Sequence, residues 1–120
     1  MNARLVTALD AVTATTTSSA IGVKYAKRVV LQLTRADHTS GSTAFTVTGS
    51  IDNGATYQAI AFLRDNATGI NTLVATKVLS ADGLALVALD LESGFALDYI
   101  KITATETTDG THSAKVYIVE

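Results

Sequence analysis

The chain has 120 residues, of which 48% are hydrophobic, and this size and composition fit one folded domain. It has no cysteine, so structural disulfides and cysteine-ligated zinc are excluded. The formal net charge of −2 gives no electrostatic reason for nucleic acid to bind, and no run approaches the ~20 apolar residues of a membrane-spanning helix.

The N-terminal segment, residues 1–17, is predicted to be an arm or an edge strand, and residues 18–120 a β-sandwich domain. Residues 4–9 form a first short strand in this interpretation. Residues 11–19 are rich in Thr and Ser and poor in large apolar side chains. Such a tract favours extended backbone at a sheet edge or on a neighbouring molecule, with a disordered linker as the alternative.

The rest of the chain alternates between strand-like runs and small polar turns. Residues 27–35 are the clearest strand, because Val29, Leu31 and Leu33 fall on one face. The remaining strands are predicted at residues 19–23, a hairpin over 43–63, 72–79, 84–91, 98–105 and 113–119. Eight or nine short strands without a convincing helix indicate a sandwich or a barrel. Our interpretation is an antiparallel β-sandwich, of either jelly-roll or Ig-like topology, with a barrel as the alternative.

The stretch Ser50–Tyr57 predicts the tight turn of the hairpin. Its pattern, Ser-x-Asp-x-Gly-x-Thr-aromatic, resembles the Asp box that recurs in sialidase propellers, where the motif lies away from the catalytic pocket. Asp52 and Asn53 are expected to bond turn N–H groups, Gly54 to take the left-handed conformation, and Tyr57 to pack back on the hairpin. A structural turn is the interpretation, and a glycan-binding role is the alternative.

The residues that carry chemistry elsewhere do not form a recognisable constellation here. His38 and His112 each fall in a predicted loop near an aspartate, so the two loops could bring them together. Zinc normally takes three or four protein ligands, and the sequence has no Gly-x-Ser-x-Gly nucleophile turn. The acidic turns lack EF-hand spacing. We therefore expect no enzymatic activity, no cofactor, no metal and no small-molecule substrate.

Several segments resemble small β-sandwich structural proteins of tailed bacteriophages. The resemblance rests on residues 5–15, 26–35, 46–57, 99–105 and 108–111. It implies a capsid decoration or cement protein, or another head or tail accessory subunit. It further implies a homo-oligomer, with a trimer favoured, that is made in the host cytoplasm and binds the major capsid protein or other virion subunits on the capsid exterior. That family has no catalytic residues to carry over.

The apolar content also predicts a subunit interface. Val30, Ala59, Ala61, Val87 and Val119 are placed on exposed faces and exceed what one small sandwich needs to bury. The Thr-rich segment can add a strand to a neighbour's sheet. The residues predicted to make contacts are Leu5, Val6, Ala11, Val12, Thr13, Thr15, Thr16 and Thr17.

Two other functions stay open from the sequence. A carbohydrate-binding or adhesin module would need exposed aromatic platforms, for which the candidates are Tyr25, Tyr57, Tyr99 and Tyr117, and these do not cluster in sequence. An extracellular filament would join its subunits by strand donation.

Overall fold

The computed structural model describes residues 2–60, 63–65, 72–89 and 97–120. They form two antiparallel sheets packed face to face, so the predicted β-sandwich is confirmed. The strands are β1 (Ala3–Val12), β2 (Thr16–Thr17), β3 (Ile21–Gly22), β4 (Arg28–Ala36), β5 (Thr43–Ser50), β6 (Gln58–Ile60), β7 (Leu63–Asp65), β8 (Thr72–Val74), β9 (Thr76–Leu79), β10 (Gly83–Leu89), β11 (Tyr99–Glu106) and β12 (Thr111–Val119).

The first sheet has the strand order β1-β12-β4-β10-β7-β8. The second sheet is built on the β11–β5 pair, with β2 and β3 along the free side of β11 and β6 and β9 along that of β5. From β4 onward, consecutive long strands alternate between the sheets, as β4 does with β5 and β11 with β12. The loops at each end of the sandwich therefore cross between the two sheets.

The described residues contain twelve strands rather than eight or nine. The predicted strand over 72–79 is divided at Ala75, where β8 ends in the first sheet and β9 begins in the second. The hairpin predicted over 43–63 likewise contributes β5 and β6 to one sheet and β7 to the other. Periodicity detects extended backbone but does not report which sheet an extended segment joins. Residues 61–62 of the predicted hairpin and residues 90–91 of the predicted strand over 84–91 lie outside the described residues.

The core fills the space between the sheets. Alternation places Val29, Leu31 and Leu33 of β4 inside, as predicted, and each is at most 1% exposed. The facing sheet contributes Phe45, Val47, Ile100, Ile102 and Ala104. Aliphatic side chains supply most of the interior, which matches the absence of tryptophan.

The edge strand β1 is part of this core. It pairs with β12 from Ala3↔Val119 to Val12↔His112, with two register shifts that mark bulges. Leu9 is 3% exposed, and Val6 and Val12 pack against the buried cluster. Ala11 has a left-handed φ of 51° beside the second register shift. Deleting the segment would therefore expose core residues as well as remove any contacts it makes with other molecules.

Arg35 closes one end of the sandwich from the inside. It continues the inward-facing series of β4 and is 1% exposed. Its guanidinium donates to four backbone carbonyls, those of Ser40 (2.9 Å), Gly41 (3.0 Å), Asp109 (3.0 Å) and Leu79 (3.4 Å). One buried cation thereby joins the β4–β5 loop, the β11–β12 turn and the end of β9. Carbonyl dipoles compensate for the loss of water around the charge.

The residue that pairs with Arg35 across the sheet, His112, is also fully buried. Its Nδ1 lies 3.0 Å from Thr43 Oγ1 and its Nε2 lies 2.7 Å from Glu106 Oε2. Gly110 lies in the turn between β11 and β12 and has a φ of 127°. A Cβ at this position would lie 3.2 Å from Arg35 Nε and 3.1 Å from His112 Cε1. Glycine is suited to position 110 because it adopts this φ without strain and has no Cβ to collide with Arg35 and His112.

We predict that Arg35→Met lowers the free energy of unfolding by about 3 kcal/mol or more, because four carbonyls lose a charged donor in a buried site. Arg28→Met is the matched control: Arg28 begins the same strand but is exposed, and its replacement is expected to change stability by about 0.5 kcal/mol or less. Urea unfolding of both variants measures the difference. Equal losses for the two variants would contradict this role of Arg35.

Candidate interaction surfaces

The turn at 50–57 is held by the side chains of Ser50 and Asp52. Ser50 Oγ donates to Asp52 Oδ1 at 2.8 Å and accepts from the N–H of Gly54 at 2.9 Å, while Asp52 Oδ1 also accepts from the N–H of Thr56 at 2.9 Å. The hydrogen bond from Ser50, together with that from Thr56, lowers the pKa of Asp52 below its ordinary value. Asn53 and Gly54 both have left-handed φ values, 59° and 87°. These contacts describe a self-contained turn.

Tyr57 lies beside this turn. Lys101 Nζ of the neighbouring β11 lies 4.3 Å from the centre of the Tyr57 ring, a cation–π distance. A Cβ placed on Gly54 would lie 3.4 Å from the Tyr57 hydroxyl. The ring therefore packs against the turn and the adjacent strand.

The two histidines have different partners. His38 Nδ1 lies 2.5 Å from Asp82 Oδ1 at the surface, whereas His112 is buried against Thr43 and Glu106. In the same loop region Asp109 accepts from the N–H of Thr39 at 2.9 Å and from its hydroxyl. Within the described ranges, no group of three or more His, Cys, Asp or Glu side chains is placed to hold a metal ion.

The predicted contact residues of the N-terminal segment occupy two sheet edges. Leu5 is 61% exposed on β1, and Ala11 near the end of β1 is exposed too. Thr13 and Thr15, between β1 and β2, are also exposed. Thr16 and Thr17 form β2 and pair with β11 of the same chain, where Thr17 Oγ1 lies 2.9 Å from Thr103 Oγ1. The Thr-rich residues thus already complete an edge of their own second sheet. Val6 and Val12 pack inward, as described above.

The outer face of the first sheet carries an apolar row that sequence reasoning located only in part. Residues paired across the six strands give the row Leu5, Tyr117, Val30, Ala88, Arg64 and Leu73. Leu86 lies on the same face in the adjacent row. Leu5 is 61%, Leu86 60%, Tyr117 46% and Leu73 45% exposed. We call Leu5, Tyr117, Val30, Ala88, Leu86 and Leu73 the outer stripe.

One of the five apolar residues predicted on exposed faces lies in the core instead. Val87 is 1% exposed and lies in the core, because β10 turns its even-numbered side chains outward. Both faces of β10 are apolar, so its sequence does not reveal which one is buried. Ala61 lies outside the described residues. Val30 and Val119 are half-buried on the outer face of the first sheet, and Ala59 is exposed on β6.

The charged side chains around the outer stripe are mainly basic. Arg28, Lys115 and Arg64 are on this face of the first sheet, and the exposed Asp10 follows the buried Leu9 on the edge strand β1. The chain as a whole carries a net charge of −2. The outer face is therefore locally basic on a slightly acidic protein.

A second surface feature is a cleft of about 180 Å³ where the chain termini meet β3 and the start of β11. It is lined by Arg4, Gly22, Lys24, Tyr25, Asn53, Asp98, Tyr99 and Glu120. Tyr25 is 73% exposed, and a Cβ on Gly22 would lie 3.8 Å from the Tyr99 ring. The fold thus brings together two tyrosines that are 74 positions apart in the sequence. No sequence pattern near either tyrosine indicates that Tyr25 and Tyr99 line the same cleft.

No helix within the described ranges is long and apolar enough to cross a membrane.

No protein-family model and no curated protein sequence matches this chain. Among solved structures, its fold is similar to that in the crystal structure of the SPBc2 prophage-derived protein YomS, with a TM-score of 0.70. The two share 15% sequence identity, and the match covers 99% of this chain and 94% of the other. At that identity the similarity establishes a common fold over nearly the whole length of both proteins.

Acid is expected to destabilise the protein through its surface aspartates. The hydrogen bonds from His38 lower the pKa of Asp82, and those from Thr39 lower the pKa of Asp109, below their ordinary values. A carboxyl whose pKa falls on folding contributes stability above its unfolded-state pKa, and this is lost as pH drops through the lower folded-state pKa. Stability should therefore fall as pH drops from about 5 to about 3.

Asp82→Asn should make this pH dependence shallower, because the variant cannot lose a carboxylate at that position. Urea midpoints measured at several pH values give the slope. Asp10→Asn, at an exposed position on β1, is the control for removing one negative charge. A slope reduced as much by Asp10→Asn as by Asp82→Asn would refute this role for the His38–Asp82 contact.

Proposed function

We propose that this chain is a structural protein of a phage virion, a capsid decoration or cement protein that binds the shell from outside as a homo-oligomer. The observation that carries the proposal is the outer stripe, whose apolar side chains come from five of the six strands of the first sheet, with Arg64 of β7 between them, and on which none of the described residues packs. A fold shared with a prophage-derived protein supports the phage setting. In this proposal the chain is not an enzyme.

The partner of the outer stripe is best described as a protein surface with an apolar centre and acidic surroundings. Removing water from apolar area of this kind lowers the free energy, and an exposed tyrosine such as Tyr117, between apolar neighbours, is a frequent anchor of protein interfaces. The basic side chains Arg28 and Lys115 add electrostatic complementarity to an acidic partner. Two copies of the chain packed stripe to stripe would bring these like charges together, which favours another virion subunit as the occupant.

Oligomerisation is assigned to the sheet edges instead. Among the described strands, none pairs with the outer edge of β1. Along its inner edge, the first five residues, Ala3 to Thr7, pair with β12 without a register shift. The outer edge can accept a strand from another copy, and closed symmetry would then hide it. The bulges later in β1 restrict pairing to this first part of the strand.

Binding to the shell would stabilise the particle by mass action. A subunit that binds the assembled shell but not separated capsomers lowers the free energy of the assembled form. Several stripes held in one oligomer contact the shell together, so modest affinities combine. This mechanism requires contact area and symmetry but no bond-making chemistry.

We expect Tyr117→Asp to weaken binding to particles of the encoding phage by about tenfold or more, because it places a charge in the middle of an apolar contact. Ile51→Asp is the matched control: Ile51 is 78% exposed and apolar but belongs to the turn at 50–57. Co-sedimentation with purified particles measures both. Equal binding by wild type and Tyr117→Asp would refute the assignment of the stripe.

The contribution of the basic side chains can be measured in the same assay. Lys115→Glu should weaken binding more at low than at high salt, since the lost attraction is electrostatic. Lys27→Glu makes the same charge change in the exposed residue before β4 and should leave binding unchanged.

In solution we expect a mass of three chains of 12.5 kDa each, measured by native mass spectrometry. A monomer at micromolar concentration would contradict the oligomer part of the proposal. Electron microscopy of the same sample distinguishes the filament alternative, because strand donation without closure gives fibres rather than discrete particles.

A further inference from the structure

The cleft between the termini has features that the proposed function does not use. It combines an exposed aromatic ring, a second ring in its wall and side chains of both charges, in a concave site at the junction of the two sheets. Tyr25 is 73% exposed, and Lys24 Nζ lies 6.0 Å from the centre of its ring. The cleft shares no residue with the outer stripe.

The polar groups of the cleft are held in place by one another. Asp98 Oδ2 accepts from the N–H of Asn53 at 2.9 Å, and Arg4 Nε lies 3.5 Å from Glu120 Oε1. Arg4 also donates to the carbonyl of Gly22 through Nη2. Each carboxylate has further lone pairs, and the arginine has further N–H groups. Donors and acceptors are thus fixed in position with capacity for a ligand.

The charges of the cleft cancel. Two cations, Arg4 and Lys24, face two carboxylates, Asp98 and Glu120. A site selective for an anion or a cation would carry an excess of one sign. A neutral ligand with many hydroxyl groups can donate to the carboxylates and accept from the cations at the same time. The apolar face of such a ligand can pack on an aromatic ring.

The size of the cleft sets a limit on the ligand. Its volume of about 180 Å³ is below the ~300 Å³ at which pockets for drug-sized molecules begin. A single sugar ring fits these dimensions and this chemistry.

We propose that this cleft binds one neutral sugar ring of a glycan, with Tyr25 as the stacking platform, Asp98 and Glu120 as acceptors of sugar hydroxyls, and Arg4 and Lys24 as donors. The affinity of one site for one ring is expected to be weak, because the contact is small and open to solvent. Several sites in one oligomer would bind a repeating glycan together. The proposal gives this protein a glycan contact that is independent of its contact with the shell.

The test uses the full chain and a panel of free monosaccharides consisting of glucose, galactose, mannose, N-acetylglucosamine and rhamnose. Saturation-transfer NMR and shifts of the tyrosine ring signals report binding. We expect at least one sugar to shift the Tyr25 signals, and Tyr25→Ala to weaken its binding by about tenfold. Tyr25 is mostly exposed, so this variant should keep its stability. Asp98→Asn tests the hydroxyl acceptor and should also weaken binding.

Tyr117→Ser is the matched tyrosine control, since Tyr117 is exposed on the outer face and is not part of the cleft. It should lose particle binding and keep sugar binding, while Tyr25→Ala should do the reverse. This pair separates failure of the glycan site from failure of the proposed function. Absence of binding by every sugar of the panel, or binding that Tyr25→Ala leaves unchanged, would overturn the glycan site, and a sugar that shifts only signals outside the cleft would do so too.

Discussion

The register between β12, β4 and β10 in the first sheet is the constraint on which the other features depend. Side chains alternate along each strand, so the pairing that directs Leu31 and Val116 into the core directs Val30 and Tyr117 outward. A slip of one residue in β4 would exchange the two sets and expose the core face. The burial of the core thus fixes the outer stripe at the same time, and the stripe needs no stabilising contacts of its own.

Polar contacts at the two ends of the sandwich hold the loops and turns, whose positions strand pairing alone does not determine. At one end Arg35 holds the β4–β5 loop, the β11–β12 turn and the end of β9 by their carbonyls. At the other, the N–H of Asp98 donates to the carbonyl of Ser50 at 2.8 Å, and Asp98 Oδ2 accepts from Asn53 at 2.9 Å. This second link positions the turn at 50–57 against the start of β11, and with it one wall of the cleft that contains Tyr25. Rigid loops on a rigid sandwich are the usual basis of binding sites in such folds.

Strands with one apolar and one polar face were predictable from the sequence. β4, β11 and β12 have that alternation, and the structure buries Val29, Leu31 and Leu33 of β4 as predicted. The same pattern contained a signal for the buried polar pair: Arg35 is in phase with Leu33, and His112 with Ala114, so both had to point inward. What the sequence could not supply is the assignment of short segments to sheets, the buried face of β10, and the approach of Tyr25 to Tyr99. Each of these depends on contacts between residues far apart in the chain.

Hydroxyl-radical footprinting of the protein bound to phage particles tests the central claim, that the chain acts by placing the outer face of its first sheet on the shell. The account predicts that Leu5, Leu86 and Tyr117 are labelled in the free protein and protected on the particle, while Ile51 and Tyr25 stay labelled in both. Continued labelling of the outer stripe on the particle, with protection of Ile51 or Tyr25 instead, would contradict it.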